Sequence, residues 1–153
     1  MEDLLRNAGL RVSLDRGRPR GSNELRLRWR SGAPAAAGTP ELQMLSHLNR
    51  SEPPPRQRSQ EISPDHLVIA VVDRDGVVRA SQIIIDPRLV RGEFPDSEGN
   101  LHKNEFYRND VEFSIALPDL TDAVEVRILT PQWEGGLKLI PTATLRITGS
   151  AQQ

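Results

Sequence analysis

The sequence predicts an all-β protein, an antiparallel β-sandwich of about seven or eight strands with one short helix in a long connection. Three observations carry that expectation. Apolar and polar residues alternate with period two through most of the chain, the pattern of a pleated strand with one buried face. Proline and glycine fall between these runs, where turns are needed and ladders are not interrupted. One short segment alone offers a helical apolar stripe.

The elements follow in chain order. "LRVSLD", residues 10–15, is a weak strand candidate. In "LRLRWR", Leu25, Leu27 and Trp29 point to one face and Arg26, Arg28 and Arg30 to the other. "HLVIAVVDRDGVVRASQIII", residues 66–85, is a hairpin whose apolar strand Leu67 to Val72 returns from Val77. Its turn is "DRDG", where Asp73 and Asp75 can accept bonds from nearby amides and Gly76 tolerates positive φ. Val111, Phe113, Ile115 and Leu117 share a face in "VEFSIAL", as do Val124, Val126 and Ile128 in "VEVRIL". Ala143, Leu145 and Ile147 close the series. Pro87, Pro95, Pro118, Pro131 and Pro141 are expected between strands.

Two long connections interrupt the pattern. Within residues 32–64, "TPELQMLSHL" predicts a short helix, with Thr39 as N-cap, Pro40 in the first turn and Leu42, Leu45 and Leu48 on one stripe. "PPPRQR" predicts exposed polyproline II, and residues 50–63 are expected to be mobile and open to cleavage at Arg50, Arg56 or Arg58. Residues 86–110 mix turn formers with Phe94, Phe106 and Tyr107 and read as a long loop.

Length and composition bound the possibilities. A chain of 153 residues fits a single domain. It divides into N-terminal strands (1–31), the Pro-rich connection (32–64), the main strands (65–148) and a tail (149–153). The formal net charge of −1 gives no global attraction to nucleic acid or anionic membrane. Apart from Lys103 and Lys138, all 20 basic residues are arginine, a skew we read as a GC-rich bacterial genome. Cysteine is absent, which excludes disulfides, thiol nucleophiles and thiolate metal sites. The first residues lack the apolar region of a signal peptide, and no run reaches transmembrane length. A cytoplasmic protein is expected if the chain is complete, and an exported one is compatible with an excised domain.

Candidate sites are few. "RGRPRG", residues 16–21, has the core of a minor-groove DNA arm, with Arg16, Arg18 and Arg20 as its contacts. It also has the Gly and Pro of a loop, and it lies between two strand-like runs with Asp15 before it and Glu24 after. The loop reading is preferred. Arg26, Arg28 and Arg30 lie along about 13 Å of strand and can grip an acidic partner, or can guard an edge strand. The acidic turns "DRDG" and "DSEGN" read as turn chemistry before calcium sites. His47, His66 and His102 have no metal-ligand spacing, so no metal or other cofactor is expected. No nucleophile elbow or phosphate-binding glycine loop is present, and no catalytic residue is assigned. Glu93 and Glu105 are carboxylates that can face one another. Trp133, in "QWEGG", is an aromatic beside a glycine turn and can touch a peptide or sugar.

"VVDRDGVVRASQIIIDPR…VEFSIALPD…VEVRIL" within residues 66–148 resembles immunoglobulin- or fibronectin-type-III-like sandwiches. It is similar to accessory domains beside larger bacterial enzymes, including the sandwich that precedes the catalytic domain of immunoglobulin-A-type metallopeptidases. The resemblance implies a fold and an accessory role, and no catalytic residue comes with it. The sequence reading is thus a non-enzymatic module that binds or positions a protein or peptide partner. Its expected contacts are Arg26, Arg28, Arg30, Phe94, Phe106, Tyr107 and Trp133. The alternatives are a nucleic-acid-associated protein using Arg16, Arg18 and Arg20, and a small hydrolase with a carboxylate site.

Overall fold

The structure, a computed structural model, describes residues 1–31, 41–58, 61–120 and 122–147. Its centre is β4 (His66–Asp73), where Leu67 to Val72 offers no polar residue to either face and is buried on both. β4 lies between β5 (Val77–Ile85) and β9 (Ala123–Trp133). β1 (Arg11–Val12) and β10 (Leu137–Arg146) complete this five-stranded sheet, in the order β1-β5-β4-β9-β10. A second sheet has β2 (Ser22–Arg30) between β3 (Glu41–Arg50) and β8 (Asp110–Pro118). Among the described residues, β6 (Leu89–Pro95) and β7 (Leu101–Tyr107) pair only with each other, as a two-stranded ribbon.

Two apolar layers hold the fold. Leu25, Leu27 and Trp29 of β2, with Ile115 and Leu117 of β8, pack against Leu67, Ile69, Val71, Val126 and Ile128 of the larger sheet. This is the sandwich core, and each fully buried large side chain contributes about 1.5–3 kcal/mol. The other face of the larger sheet shows Val68, Ala70, Val72, Leu129 and Leu139, covered by Leu5 and Leu10. Leu5 belongs to α1 (Glu2–Asn7), a helix too short to persist without packing. It ends at Gly9, whose φ of 85° lets its N–H reach Arg6 O at 2.9 Å and Leu10 N–H reach Leu5 O at 3.1 Å.

The β4–β5 turn has the predicted chemistry. Asp73 Oδ1 accepts the N–H groups of Asp75 and Val77, each at 2.9 Å, and Gly76 has φ 75°. The all-β sandwich is as the sequence predicts, with ten strands among the described residues and one parallel pair, Arg11 opposite Val77.

Several local expectations are corrected. Residues 41–50 form β3, not a helix; Thr39 and Pro40, its expected cap, lie outside the described residues. Leu27 pairs with Met44 and Arg26 with Ser46, so Leu45 is the extra residue of a β-bulge. Leu42 and Met44 therefore pack on the core, Leu45 sits at the bulge, and Leu48 faces outward opposite Glu24. A helical spacing was the by-product of that phase change. Residues 86–110, expected as a loop, contain β6 and β7. Pro131 and Pro141 lie inside strands rather than between them, while Pro95 and Pro118 are the last residues of β6 and β8. Pro131 follows Leu129, the last β9 residue paired with β4, and stands opposite Leu139 of β10, while Pro141 sits at a bulge of the edge strand β10.

Residues 53–58 of the Pro-rich segment are mostly exposed, as expected, yet they touch the fold rather than standing free. Pro54 and Pro55 line a cavity of about 180 Å³ together with Val71, Ala80 and Leu117, crossing from the larger sheet to β8. Gln57 then imitates a strand residue: its Nε2 donates to Ile83 O and its Oε1 accepts Ile83 N–H, both at 3.1 Å. Arg50, an expected cleavage site, lies in β3 and is ion-paired with Glu24 at 2.6 Å. Gln57→Ala removes two hydrogen bonds, together about 1–2 kcal/mol of local docking, and tryptic cleavage at Arg56 and Arg58 is expected to accelerate about five- to thirty-fold. Equal cleavage of wild type and variant would show that this strap opens independently of Gln57.

Candidate functional site

The arginine face of β2 does not lie on an edge strand, because β2 has β3 on one side and β8 on the other. That removes the edge-guarding reading. The antiparallel register brings the partners instead. Arg26 Nη2 meets Glu112 at 2.8 Å, and Arg28 holds Asp110 by two bonds of 2.9 and 2.7 Å. Arg30 lies 3.8 Å from the same carboxylate. With Arg50 on Glu24, and Glu41 opposite Arg30, this outer face pairs four arginines with four carboxylates. It offers no surplus charge to a polyanion.

The Arg28 guanidinium holds Asp110 below the usual carboxylate range, first by hydrogen bonding and then by charge. A carboxylate with a lower pKa folded than unfolded stabilises the fold above its unfolded value, and that contribution fades as pH falls through the folded one. The Arg28–Asp110 contribution is therefore complete at neutral pH, begins to fade near the ordinary Asp value of about 3.9, and is gone below the folded value. Asp110→Asn is expected to lack this acid limb, so its denaturation midpoint approaches that of wild type as pH is lowered. A midpoint difference that stays constant down to the acid transition contradicts the assignment.

The ribbon carries the exposed aromatics. Phe94, Phe106 and Tyr107 are about half exposed, and Leu101 is 65 % exposed. Register puts Val90 opposite Phe106 and Phe94 opposite His102, so Phe94 and Phe106 share one face. The Phe94 ring lies over Gly92, where an added Cβ would come within 2.7 Å of it. Tyr107 and Leu101 belong to the other face, between which Arg91 opposes Glu105 and Glu93 opposes Lys103. Glu93 and Glu105 do share that face, but each faces a cation, and Arg91 bonds both Glu105 and Asp65. At the tip, Asp96 Oδ1 accepts the N–H groups of Glu98 and Asn100, at 2.9 and 2.8 Å. His102 Nε2–H donates to Asp96 Oδ2 at 2.7 Å and, foremost among these bonds, holds that carboxyl below its usual range.

A cluster that the sequence reading missed fixes the ribbon to the sandwich. Arg88, just before β6, stacks on Trp29 at 4.2 Å from the ring centroid and lies 5.6 Å from that of Tyr107. Its guanidinium donates twice to Asp86, at 3.0 and 2.7 Å, and Asp86 is only 4 % exposed. Tyr107, expected as a contact residue, thus also belongs to the ribbon's root.

The remaining candidates are dispersed. Trp133 is half exposed beside the β9–β10 turn, in a different sheet from the other aromatics. "RGRPRG" joins β1 to β2 as a pinned loop. Asp15 N–H donates to Arg79 O at 2.8 Å before it, Asp15 Oδ1 accepts Gly17 N–H at 2.9 Å, and Gly21 O accepts Asp119 N–H at 3.0 Å after it. An added Cβ at Gly21 would lie 2.4 Å from Arg50 O, so this glycine is required for close backbone approach. Arg16 is held by Glu2 at 3.2 Å, while Arg18 and Arg20 line a cleft. The histidines stand apart: His47 donates to Asn23 at 2.8 Å, and His66 Nδ1 accepts Ser63 N–H at 3.0 Å. Among the described residues, no three His, Asp or Glu side chains gather as metal ligands, and no helix is long and apolar enough to cross a membrane.

Comparison with protein-family models, with curated proteins and with solved structures finds no match in any of the three.

Proposed function

We propose that this chain is a non-enzymatic β-sandwich module that docks a protein or peptide partner through the β6–β7 ribbon. One observation carries the reading: among the described residues the two strands pair only with each other, and their side chains expose Phe94, Leu101, Phe106 and Tyr107. A two-stranded ribbon is marginal by itself and gains stability from a third strand. An unpaired edge presents backbone donors and acceptors to an extended segment; natural edges are blunted by bulges, charge or proline, and of these the ribbon has charge and Pro95 but no bulge. The pairing from Leu89–Tyr107 to Pro95–Leu101 runs without a register shift. The partner that fits is an extended segment with alternating apolar side chains, added along the ribbon. A rigid root favours such binding, since the Arg88 cluster orders the ribbon beforehand. An accessory role of the immunoglobulin- or fibronectin-type-III-like kind, in a bacterial protein, rests on strand pattern and arginine usage.

The test is site-specific photo-crosslinking in the native host. A crosslinking residue at Phe106 is expected to trap a discrete protein, and one at Ser114, on the charge-paired outer face, is not. Phe94→Asp should abolish the Phe106 adduct while leaving the fold intact by circular dichroism. The same adducts from both positions, or an adduct indifferent to Phe94→Asp, would sink the reading.

A further inference from the structure

The cleft beside "RGRPRG" is built from three segments far apart in sequence, with Ala80 of β5 also lining it. The loop contributes Arg18, Pro19 and Arg20, the strap contributes Pro54, Pro55 and Arg56, and the turn after β8 contributes Pro118 and Asp119. Its volume is about 400 Å³, within the range of small-ligand sites. Three arginines line it against two carboxylates, and both carboxylates are engaged within the fold. Asp15 Oδ1 accepts Gly17 N–H at 2.9 Å, and Asp119 Oδ1 accepts Asn23 Nδ2–H at 3.2 Å. Among the described residues, Arg18, Arg20 and Arg56 form no ion pair, unlike the arginines of β2.

We propose that this cleft binds a compact multivalent anion, a metabolite-sized molecule carrying phosphate groups or paired carboxylates. Guanidinium forks match both geometries, and three arginines lining one cleft from loop and strap suit more than one anionic group. Proline supplies walls that lose little conformational entropy when a ligand orders the site. The concave shape and limited volume favour a small molecule over a duplex. Arg16 reinforces this, since it is held outside the cleft by Glu2 instead of extending the loop into an arm.

Binding has a structural consequence. The strap is held near Arg56 by Gln57, so an anion bridging Arg56 to Arg18 and Arg20 ties strap to loop. A ligand that binds only the docked strap shifts the opening equilibrium by mass action.

The full chain is titrated with inorganic pyrophosphate and with citrate at constant ionic strength, following thermal midpoint and tryptic cleavage at Arg56 and Arg58. The expected result is stabilisation saturating below about 1 mM by at least one anion, with cleavage slowed at both sites. Arg18→Gln and Arg56→Gln should each weaken binding at least about ten-fold; Arg56→Gln is followed at Arg58 alone. Arg16→Gln, outside the cleft, should bind as wild type. Response to pyrophosphate alone assigns phosphate chemistry, and response to citrate alone assigns carboxylate chemistry. A response to neither, or equal responses in all three variants, overturns the site.

Discussion

Trp29→Ala is expected to lower stability by about 3–5 kcal/mol, the range for emptying a large aromatic core site. Trp29 is wholly buried in the central strand of the smaller sheet, among Leu25, Leu27 and the inner side chains of the larger sheet. Its ring also carries Arg88, so truncation opens a cavity and removes a stacking platform together. The indole Nε1–H is buried and has no hydrogen-bond partner among the described residues. An unsatisfied buried donor costs about 1–3 kcal/mol, and phenylalanine lacks it. Trp29→Phe should therefore cost less than half as much as Trp29→Ala, because the relieved donor offsets much of the smaller cavity. Denaturant midpoints at unchanged slope measure both variants. A loss below about 1 kcal/mol for Trp29→Ala would mean that the indole does not fill the core.

The sequence made the sandwich legible where one face is buried and the other is wet. Leu25, Leu27 and Trp29 alternate with three arginines, and both sets lie where the pleat sends them. Alternation failed where the local cause was different. β3 changes phase at Leu45, so its apolar residues fall at helical rather than strand spacing. All seven residues of β7 are exposed, and a strand that buries neither face leaves no period-two signal. The helix α1 is six residues long, too short for a 3.6-residue stripe to register.

The candidate residues were legible as types but not as constellations. Glu112 lies 86 positions from Arg26, and Asp110 lies 82 from Arg28. Only the register of β2 against β8 turns that arginine face from a free cationic surface into a neutral mesh. Arg18 and Arg56 meet in one cleft because the strap crosses from β5 toward β8, which spacing alone does not encode. Asp86 and Arg88 did carry a signal, an acid and a base two residues apart around a proline, but not one that reveals burial.

Arg88→Ala is expected to cost a further large amount, about 3–5 kcal/mol, by leaving the buried Asp86 carboxylate without its counter-ion. One backbone bond remains, since Arg88 N–H donates to Asp86 Oδ1 at 2.9 Å in any residue but proline. The two guanidinium bonds and the stacking on Trp29 are lost. Cation–π contact contributes about 0.5–2 kcal/mol, but it shares its geometry with the ion pair, so the terms do not add. Arg88→Lys keeps the charge and loses the planar double bond and the stack, and should fall between wild type and alanine. Asp86→Asn combined with Arg88→Ala removes the stranded charge, so the double variant should be less destabilised than the sum of the single losses. Local order supplies an independent reading. With its root loosened, the ribbon should exchange its amide hydrogens faster, while β4 and β9 exchange at rates set by global stability. Strict additivity of the two substitutions, or unchanged exchange across β6 and β7, would show that Arg88 neither compensates Asp86 nor anchors the ribbon. If the cluster does both, its loss should weaken partner capture at Phe106 as well, because a ribbon ordered only on binding must offset that entropy from its contacts.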